Sequence, residues 1–219
     1  MWHVEFDRGG AGEFHLRDVP PNVEPTVWWF EVDRPALVIG SAQPITDIDE
    51  TECARRGIEV VRRRSGGGAV LLEPDDALWV DILISSRHAL WTPDVTSSAF
   101  WLGQIWQQTL SSLGMTGTQV HRGPMQRSTW SRLVCFAGVG GGEVLLGHRK
   151  VVGISQRRTR DAARFQCALY SAWRPEAHVP LFTAHELTAD ELGDLVAPVN
   201  VAFADIRRAF SDALAALGD

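Results

Sequence analysis

The nine residues Ala77–Ser85, reading ALWVDILIS, are almost continuously apolar. A strand with so little polar alternation lies inside a sheet that is covered on both faces. The rest of the chain therefore has to supply that cover. Further strands are predicted at Thr26–Val32, Ala36–Ile39, Ile58–Val61, Thr118–His121, Arg132–Phe136, Glu143–Leu146, Lys150–Gln156 and Arg164–Trp173. The turn Asp33, Arg34, Pro35 separates the first two. Helical spacing of Phe100, Leu102, Ile105, Trp106, Leu110 and Leu113 predicts a helix over Asp94–Leu113. A short helix over Asp47–Arg56 has Asp47 as its cap, Glu50 three residues on and Gly57 as its stop. An amphipathic helix runs from Phe203 to Leu217 and ends at Gly218. The first 25 residues mix Gly, Pro and charge, and are expected to wrap the surface. Strands cluster in the middle of the chain, with helices between and after them. The expected class is α+β, a mixed and mostly antiparallel sheet with packed helices. The 219 residues read as one domain over 1–219, with a core at about 26–175 and a C-terminal helical segment over 186–218.

Composition narrows the functional classes. The net charge of −6 excludes a chain built to coat nucleic acid, so any anion site is a local basic patch. Three cysteines, Cys53, Cys135 and Cys167, are far apart and form no CxxC pair. That argues against a disulfide framework and points to a reducing, cytoplasmic setting. The N-terminus lacks the basic-then-apolar pattern of a signal peptide, and no apolar run reaches membrane-spanning length. The seven histidines show no metal-ligand spacing, so no metal site is expected.

Two stretches carry chemistry. In RRRSGGGAVLL, from Arg62 to Leu72, arginines adjoin the bare backbone of Ser65, Gly66, Gly67 and Gly68. Such a loop can turn several N–H groups toward one anion, and Arg63 or Arg64 can grip a phosphate. In GHRKVVGISQRRTR, from Gly147 to Arg160, Lys150 is the sole lysine among 21 Lys and Arg residues. A lysine supplies a compact point charge on a flexible stem, which arginine does poorly. Generic nucleotide motifs fail. Gly138, Gly140 and Gly142 nearly spell the dinucleotide fingerprint, but Glu143 takes its last place and a strand follows. Gly142 and Gly147 have phosphate-loop spacing without the Lys-Ser/Thr pair. Both are read as a glycine-rich hairpin turn.

Together RRRSGGGAV and GHRKVVGISQRR, with RPALVIGSAQ (Arg34–Gln43), resemble the lipoate–protein ligase A family and its octanoyltransferase and biotin-ligase relatives. The likeness covers roughly Trp28 to Trp173. It implies a biotin-ligase-like catalytic domain that activates lipoate or octanoate with ATP and Mg²⁺ to an acyl-adenylate. The acyl group then passes to a lysine of a lipoyl-carrier domain, in a 2-oxoacid dehydrogenase complex or the glycine cleavage H protein. By position, Lys150 contacts the carboxylate and α-phosphate oxygens. Arg63 holds the acyl-adenylate, with Arg64, Ser65, Gly66 and Gly67 in the same cradle, and Gly68, Ala69, Val70 and Leu71 line it with backbone. Gly153 and Ser155 let it lie close to the Lys150 strand. The surrounding apolar strands form a tunnel for the acyl chain. No nucleic-acid or membrane partner is implied.

The chain departs from the ligases at three places. Leu72, Glu73, Asp75 and Asp76 stand where the ligases carry His-Asp and Gly-Asn, and His121 to Met125 where they carry Asn-Asp. The chain also stops soon after the domain, so the C-terminal accessory domain is missing and a separate accessory subunit would take its place. All three bear on ATP use and none on acyl binding. The alternative is the ATP-independent transferase, in which a cysteine carries the acyl group. Cys167 is the candidate: a hairpin pairing residue 154 near 167 puts it on the Lys150 face, but about 13 Å away at the strand rise. Cys53 and Cys135 read as buried apolar residues. A third reading is a non-catalytic subunit that needs a partner.

Overall fold

The computed structural model describes residues 1–217; Gly218, the expected stop of the last helix, lies outside them. In chain order the elements are β1 (His3–Gly9), α1 (Ala11–Leu16), β2 (Thr26–Val32), β3 (Ala36–Ile39), α2 (Glu50–Arg55), β4 (Glu59–Arg62), β5 (Val70–Leu72), β6 (Ala77–Ser85), α3 (Phe100–Ser112), β7 (Thr118–Val120), β8 (Val144–Leu146), β9 (Arg149–Arg158), β10 (Ala162–Tyr170), α4 (Pro175–His178), α5 (Ala189–Gly193) and α6 (Phe203–Ala215). A seven-stranded sheet has the order β1-β2-β6-β10-β9-β8-β7, and a three-stranded sheet has the order β4-β3-β5. Only β1 with β2 and β3 with β4 pair in parallel among these neighbours. The α+β layout with a mixed, mostly antiparallel sheet is as expected.

The apolar strand β6 sits inside the large sheet, between β2 and β10, and both its faces are covered. Leu78, Val80, Ile82 and Ile84 pack with Leu102, Ile105 and Trp106 of α3 and Phe210 of α6. Ala77, Trp79 and Leu83 face the other way, against Val38, Val70 and Leu72 of the small sheet and Phe14 of α1. The space between the two sheets holds the candidate site.

Several local expectations are corrected. The first 25 residues do more than wrap the surface: β1 extends the large sheet and α1 buries Phe14. The cap of α2 is Asp49, whose side chain accepts from Glu52 N–H at 2.9 Å, while Asp47 ends a preceding 3₁₀ turn. Asp94 caps a turn ahead of α3 and leaves the helix to start at Phe100. Arg132–Phe136 is not a strand. It makes one isolated parallel bridge, Val134 to Ala69, and then turns through a 3₁₀ segment, Cys135–Ala137. No helix among the described residues is long and apolar enough to cross a membrane.

The small sheet is locked to the end of β10 by Tyr170, which donates to Leu71 O at 3.0 Å, with buried His178 beside it. Burial lowers the pKa of His178 from 6.5 to about 4, against the opposing hydrogen bond to Arg174 O. Between those values the unfolded chain binds a proton that the folded chain refuses, so stability falls as pH falls through that window. The expected loss is on the order of 3 kcal/mol at its acid end. Urea denaturation of wild type and His178→Gln across that range checks it; the variant should show a shallower acid limb.

Candidate active site

The glycine loop joins β4 to β5 and folds back over the end of β3. A side chain at Gly40 would run into the Gly67 carbonyl, and one at Gly68 would lie 2.8 Å from Leu133 O. Gly67 has φ +102, which only glycine adopts readily. These close approaches let residues 133–135 run alongside the loop. Ala69 N–H donates to Leu133 O at 2.7 Å, and Cys135 N–H donates to Ala69 O at 2.9 Å. This pairing sets Cys135 beside the loop, and a Cβ on Gly67 would sit 3.5 Å from its Sγ.

Arg63 does not offer a free guanidinium to a phosphate. It is 1% exposed. Nε donates to Ser65 Oγ at 3.0 Å, Nη1 to Val38 O at 2.8 Å, and Nη2 to Gly66 O and Gly68 O at 2.8 Å each. Three of its N–H groups thus hold the loop itself and a fourth ties it to β3. Burial pulls its pKa down, and the neighbouring Cys135 pulls it back up. Arg64 turns away and pairs with Asp18 at the surface. Ala69 and Leu71 direct their side chains into a separate core with Leu181 and Phe182, so Val70 alone of the three lines the space between the sheets.

A buried polar chain continues from the loop. Ser65 Oγ donates to Gln166 Oε1 at 2.7 Å and lies 2.9 Å from Ser155 Oγ. Gln166 Nε2 donates to Asp81 Oδ2 at 3.2 Å, and Asp81 pairs with Arg164. Arg164 also reaches the carbonyls of Phe14 and Arg17. Burial pushes the Asp81 pKa up, and Arg164 and the Trp79 N–H oppose it.

Lys150 reaches this space because of an irregularity in β9. Val144 pairs with Val152 but Leu145 pairs with Lys150, so Val151 is an extra residue in the ladder. Val151 and Val152 both enter the α3/α6 core. Lys150 therefore shares the Gly153 and Ser155 face instead of the Ile154 face. Its Nζ pairs with Glu143 Oε2 at 2.8 Å, donates to Cys135 O at 2.9 Å, and lies 5.3 Å from the Phe136 ring centroid. Glu143 is itself fixed: Oε2 accepts from Gly140 N–H at 2.6 Å and Oε1 from Ile154 N–H at 3.0 Å.

The same bulge removes Cys167 from consideration. Cys167 does pair with Ile154, as the expected register had it. Its side chain nevertheless lies on the opposite face from Lys150, in the α3/α6 core, 1% exposed. Burial pushes its thiol far up. Cys53 is buried as expected. Cys135, read from sequence as a buried apolar residue, is partly exposed and lines one of two spaces beside the loop. Inward is a hollow of about 10 Å³, lined by Arg63, Val70, Trp79, Phe136, Gly153 and Ala168 among others. Outward, across Gly67, is an open cleft of about 370 Å³ with Gln43, Met125, Arg127, Ser131 and Arg132 on its walls.

These residues do not fit a nucleotide with Mg²⁺. The Arg63 donors and the Ala69 N–H are committed within the protein, and Asp47 is the one carboxylate on the outer cleft. Asp76, at one of the departures, pairs with Arg174 in a turn at the far end of β10. His121 bonds Pro124 O at 2.9 Å within its own loop.

A glycine loop clamped by a buried arginine, facing a lysine on a bulged strand of the other sheet, is the centre of this α+β architecture. The sequence model of the lipoyl protein ligase A/B catalytic domain matches residues 12–189, and the chain belongs to that family. It is 30% identical over 138 residues to a protein named octanoyltransferase LipM of Carboxydothermus hydrogenoformans, covering 63% of this chain and 49% of the relative. A protein of the same name from Clostridioides difficile is 27% identical, over 62% of this chain and 49% of its own length. The chain thus spans about half the length of the curated relatives it matches. Among solved structures, a lipoate-protein ligase A bound with ATP superposes with TM-score 0.73 at 17% identity, covering 98% of this chain and 83% of that one. The bi-partite lipoate protein ligase of Thermoplasma acidophilum gives 0.73 at 16%, over 98% and 82%. At these identities the structural likeness concerns the fold.

Reasoning from sequence missed Cys135, Glu143, Gln166 and Asp81. A signal for Glu143 was present: it is the acid that spoils the glycine fingerprint just ahead of the only lysine. Glu143→Ala leaves the ammonium of Lys150 buried and unpaired, and should cost roughly 3–5 kcal/mol of stability in urea denaturation. Glu73→Ala, which removes a surface partner of Arg174, should cost about 1 kcal/mol or less.

Proposed function

We propose that this chain is an ATP-independent acyltransferase with Cys135 as its nucleophile, moving an octanoyl-type group from a carrier thioester to a lysine of a lipoyl-carrier domain. The observation that carries this reading is the position of Cys135. The residue is partly exposed and lines the inner hollow, its sulfur would be 3.5 Å from a Cβ on Gly67, which lines the outer cleft, and its carbonyl is gripped by Lys150. The naming of the curated relatives as octanoyltransferases supports it. The ATP-dependent ligase reading ranks second, because the arginine and backbone assigned to the adenylate are occupied in holding the loop. Cys135 replaces Cys167 as the nucleophile of the transferase.

In the first half-reaction the Cys135 sulfur attacks the thioester carbonyl carbon. A new C–S bond forms, the carrier C–S bond breaks, and the carrier sulfur leaves with the proton that Cys135 gave up. In the second, the acceptor amine attacks the Cys135 thioester. A C–N bond forms, the C–S bond breaks, and Cys135 regains its proton from the amine. Each step places negative charge on the carbonyl oxygen. The Lys150 ammonium, fixed by Glu143, supplies positive charge next to it without having to reorganise. The Arg63 clamp keeps the loop beside the sulfur. The outer cleft, with Arg127 and Arg132 on its wall, receives the arm of the carrier. Acceptors of this chemistry are the lipoyl domains of 2-oxoacid dehydrogenase complexes or the glycine cleavage H protein.

Incubation with an octanoyl thioester in the absence of ATP should add one octanoyl group by intact-protein mass spectrometry. Cys135→Ala should abolish the adduct and Cys167→Ala should retain it. Lys150→Met should slow its formation roughly a hundredfold. An adduct of undiminished yield on the Cys135→Ala protein would sink the assignment.

A further inference from the structure

Strand β1 stands at one edge of the large sheet, and among the described residues no strand pairs with its outer side. Its ladder with β2 runs unbroken from His3↔Thr26 to Gly9↔Val32, so neither a bulge nor a proline guards the edge. At the two ends of that ladder, His3 N–H donates to Pro25 O at 2.8 Å and Gly9 O accepts from Asp33 N–H at 3.1 Å. The odd residues therefore turn their backbone toward β2. By alternation, Val4, Phe6 and Arg8 turn their N–H and C=O groups outward. An unpaired row of this kind is a template for a further strand.

The side chains favour one strand in particular. Val4 and Phe6 lie on the α6 face and are 40% and 69% exposed. Beside Val4 a groove of about 400 Å³ opens between β1 and the end of α6, with Trp2, Val27, Ser211 and Leu214 on its walls. On the opposite face His3, Glu5 and Asp7 form a column of charge. Arg17 pairs there with Glu5 at 2.6 Å and lies 4.0 Å from Asp7. The segment HVEFDRG is complementary to a reversed copy of itself. With a two-fold axis at Glu5, Val4 opposes Phe6 of the second copy and His3 opposes Asp7, each of them twice. The Val4 and Phe6 backbones are the ones that face outward, so each such pair exchanges both of its hydrogen bonds. The exposed Phe6 ring of each copy then lies beside Val4 of the other, at the mouth of the groove. An axis at Phe6 would lengthen the overlap, but it sets Glu5 against Asp7 twice, and like charges directly opposite are destabilising. With the axis at Glu5 one acidic pair remains, and each carboxylate keeps its own Arg17.

We propose that the chain forms a two-fold dimer through β1, which joins two seven-stranded sheets at an antiparallel seam centred on Glu5. The contact is isologous, so it closes on itself and leaves no β1 edge free. Lys150 and Cys135 belong to other elements, and each copy keeps its own site.

Light scattering on the eluting peak reads the mass in solution, and circular dichroism with thermal melting establishes that each variant folds. Wild type should run at twice the chain mass at micromolar concentration. The double variant Val4→Glu, Phe6→Glu sets like charges opposite each other across the seam. It should weaken association roughly a hundredfold and leave a folded monomer. Mild oxidation reads the register. Glu5→Cys places two thiols across the axis with Cα atoms about 4.5 Å apart, within disulfide reach, and should crosslink. Phe6→Cys sets its thiols two residues apart along opposed strands, beyond that reach, and should not. Wild type that stays monomeric, or a dimer that survives in the folded double variant, would overturn the proposal. Crosslinking at Phe6→Cys and not at Glu5→Cys would overturn the seam at Glu5.

Discussion

The guanidinium of Arg63 sits between the two sheets, and the arrangement of the site depends on it. Four acceptors from β3, Ser65 and the glycines converge on one buried cation. Hydrogen bonds to a charged group in a dry setting are strong, and any lost one leaves a buried donor unsatisfied. The loop is thereby fixed in the shape that brings residues 133–135 alongside it. A glycine-rich segment that would otherwise be mobile becomes a rigid shelf. Through Ser65 and Gln166 the same cation is linked to Asp81 and Arg164, and so to the segment that follows β1.

The second constraint is the bulge at Val151. One extra residue reverses the face on which every preceding side chain of a strand lies. Here it separates Lys150 from Cys167 and brings the lysine to Glu143 and the Cys135 carbonyl. Taking two charges out of water is costly, and Glu143 compensates Lys150 while accepting two backbone N–H groups as well. A buried pair held by this many hydrogen bonds keeps one geometry, as a preorganised electrostatic site requires.

Much of the fold was legible in the chain. ALWVDILIS marks the covered strand inside the sheet because its side chains alternate between two apolar surroundings. The hairpin of β9 and β10 and the long C-terminal helix follow from ordinary periodicity. The glycine loop and Lys150 stand out by composition. The functional assignment was less legible, for physical reasons. The bulge falls in Lys-Val-Val-Gly, where nothing local distinguishes a bulged strand from a regular one. Cys135 reads as a buried strand residue, whereas it starts a 3₁₀ turn beside the glycine loop and is partly exposed. Arg63 beside glycines reads as an anion grip. Only the distant carbonyl of Val38 reveals it as a clamp.

In the proposed function, acyl transfer passes through a cysteine thioester and needs no nucleotide. The most direct measurement follows an octanoyl group from a carrier-protein thioester to the lysine of a lipoyl-carrier domain, with ATP removed enzymatically and then restored. Modification of that lysine at the same rate in both conditions is expected. Modification that occurs only when ATP and free octanoate are supplied would contradict it.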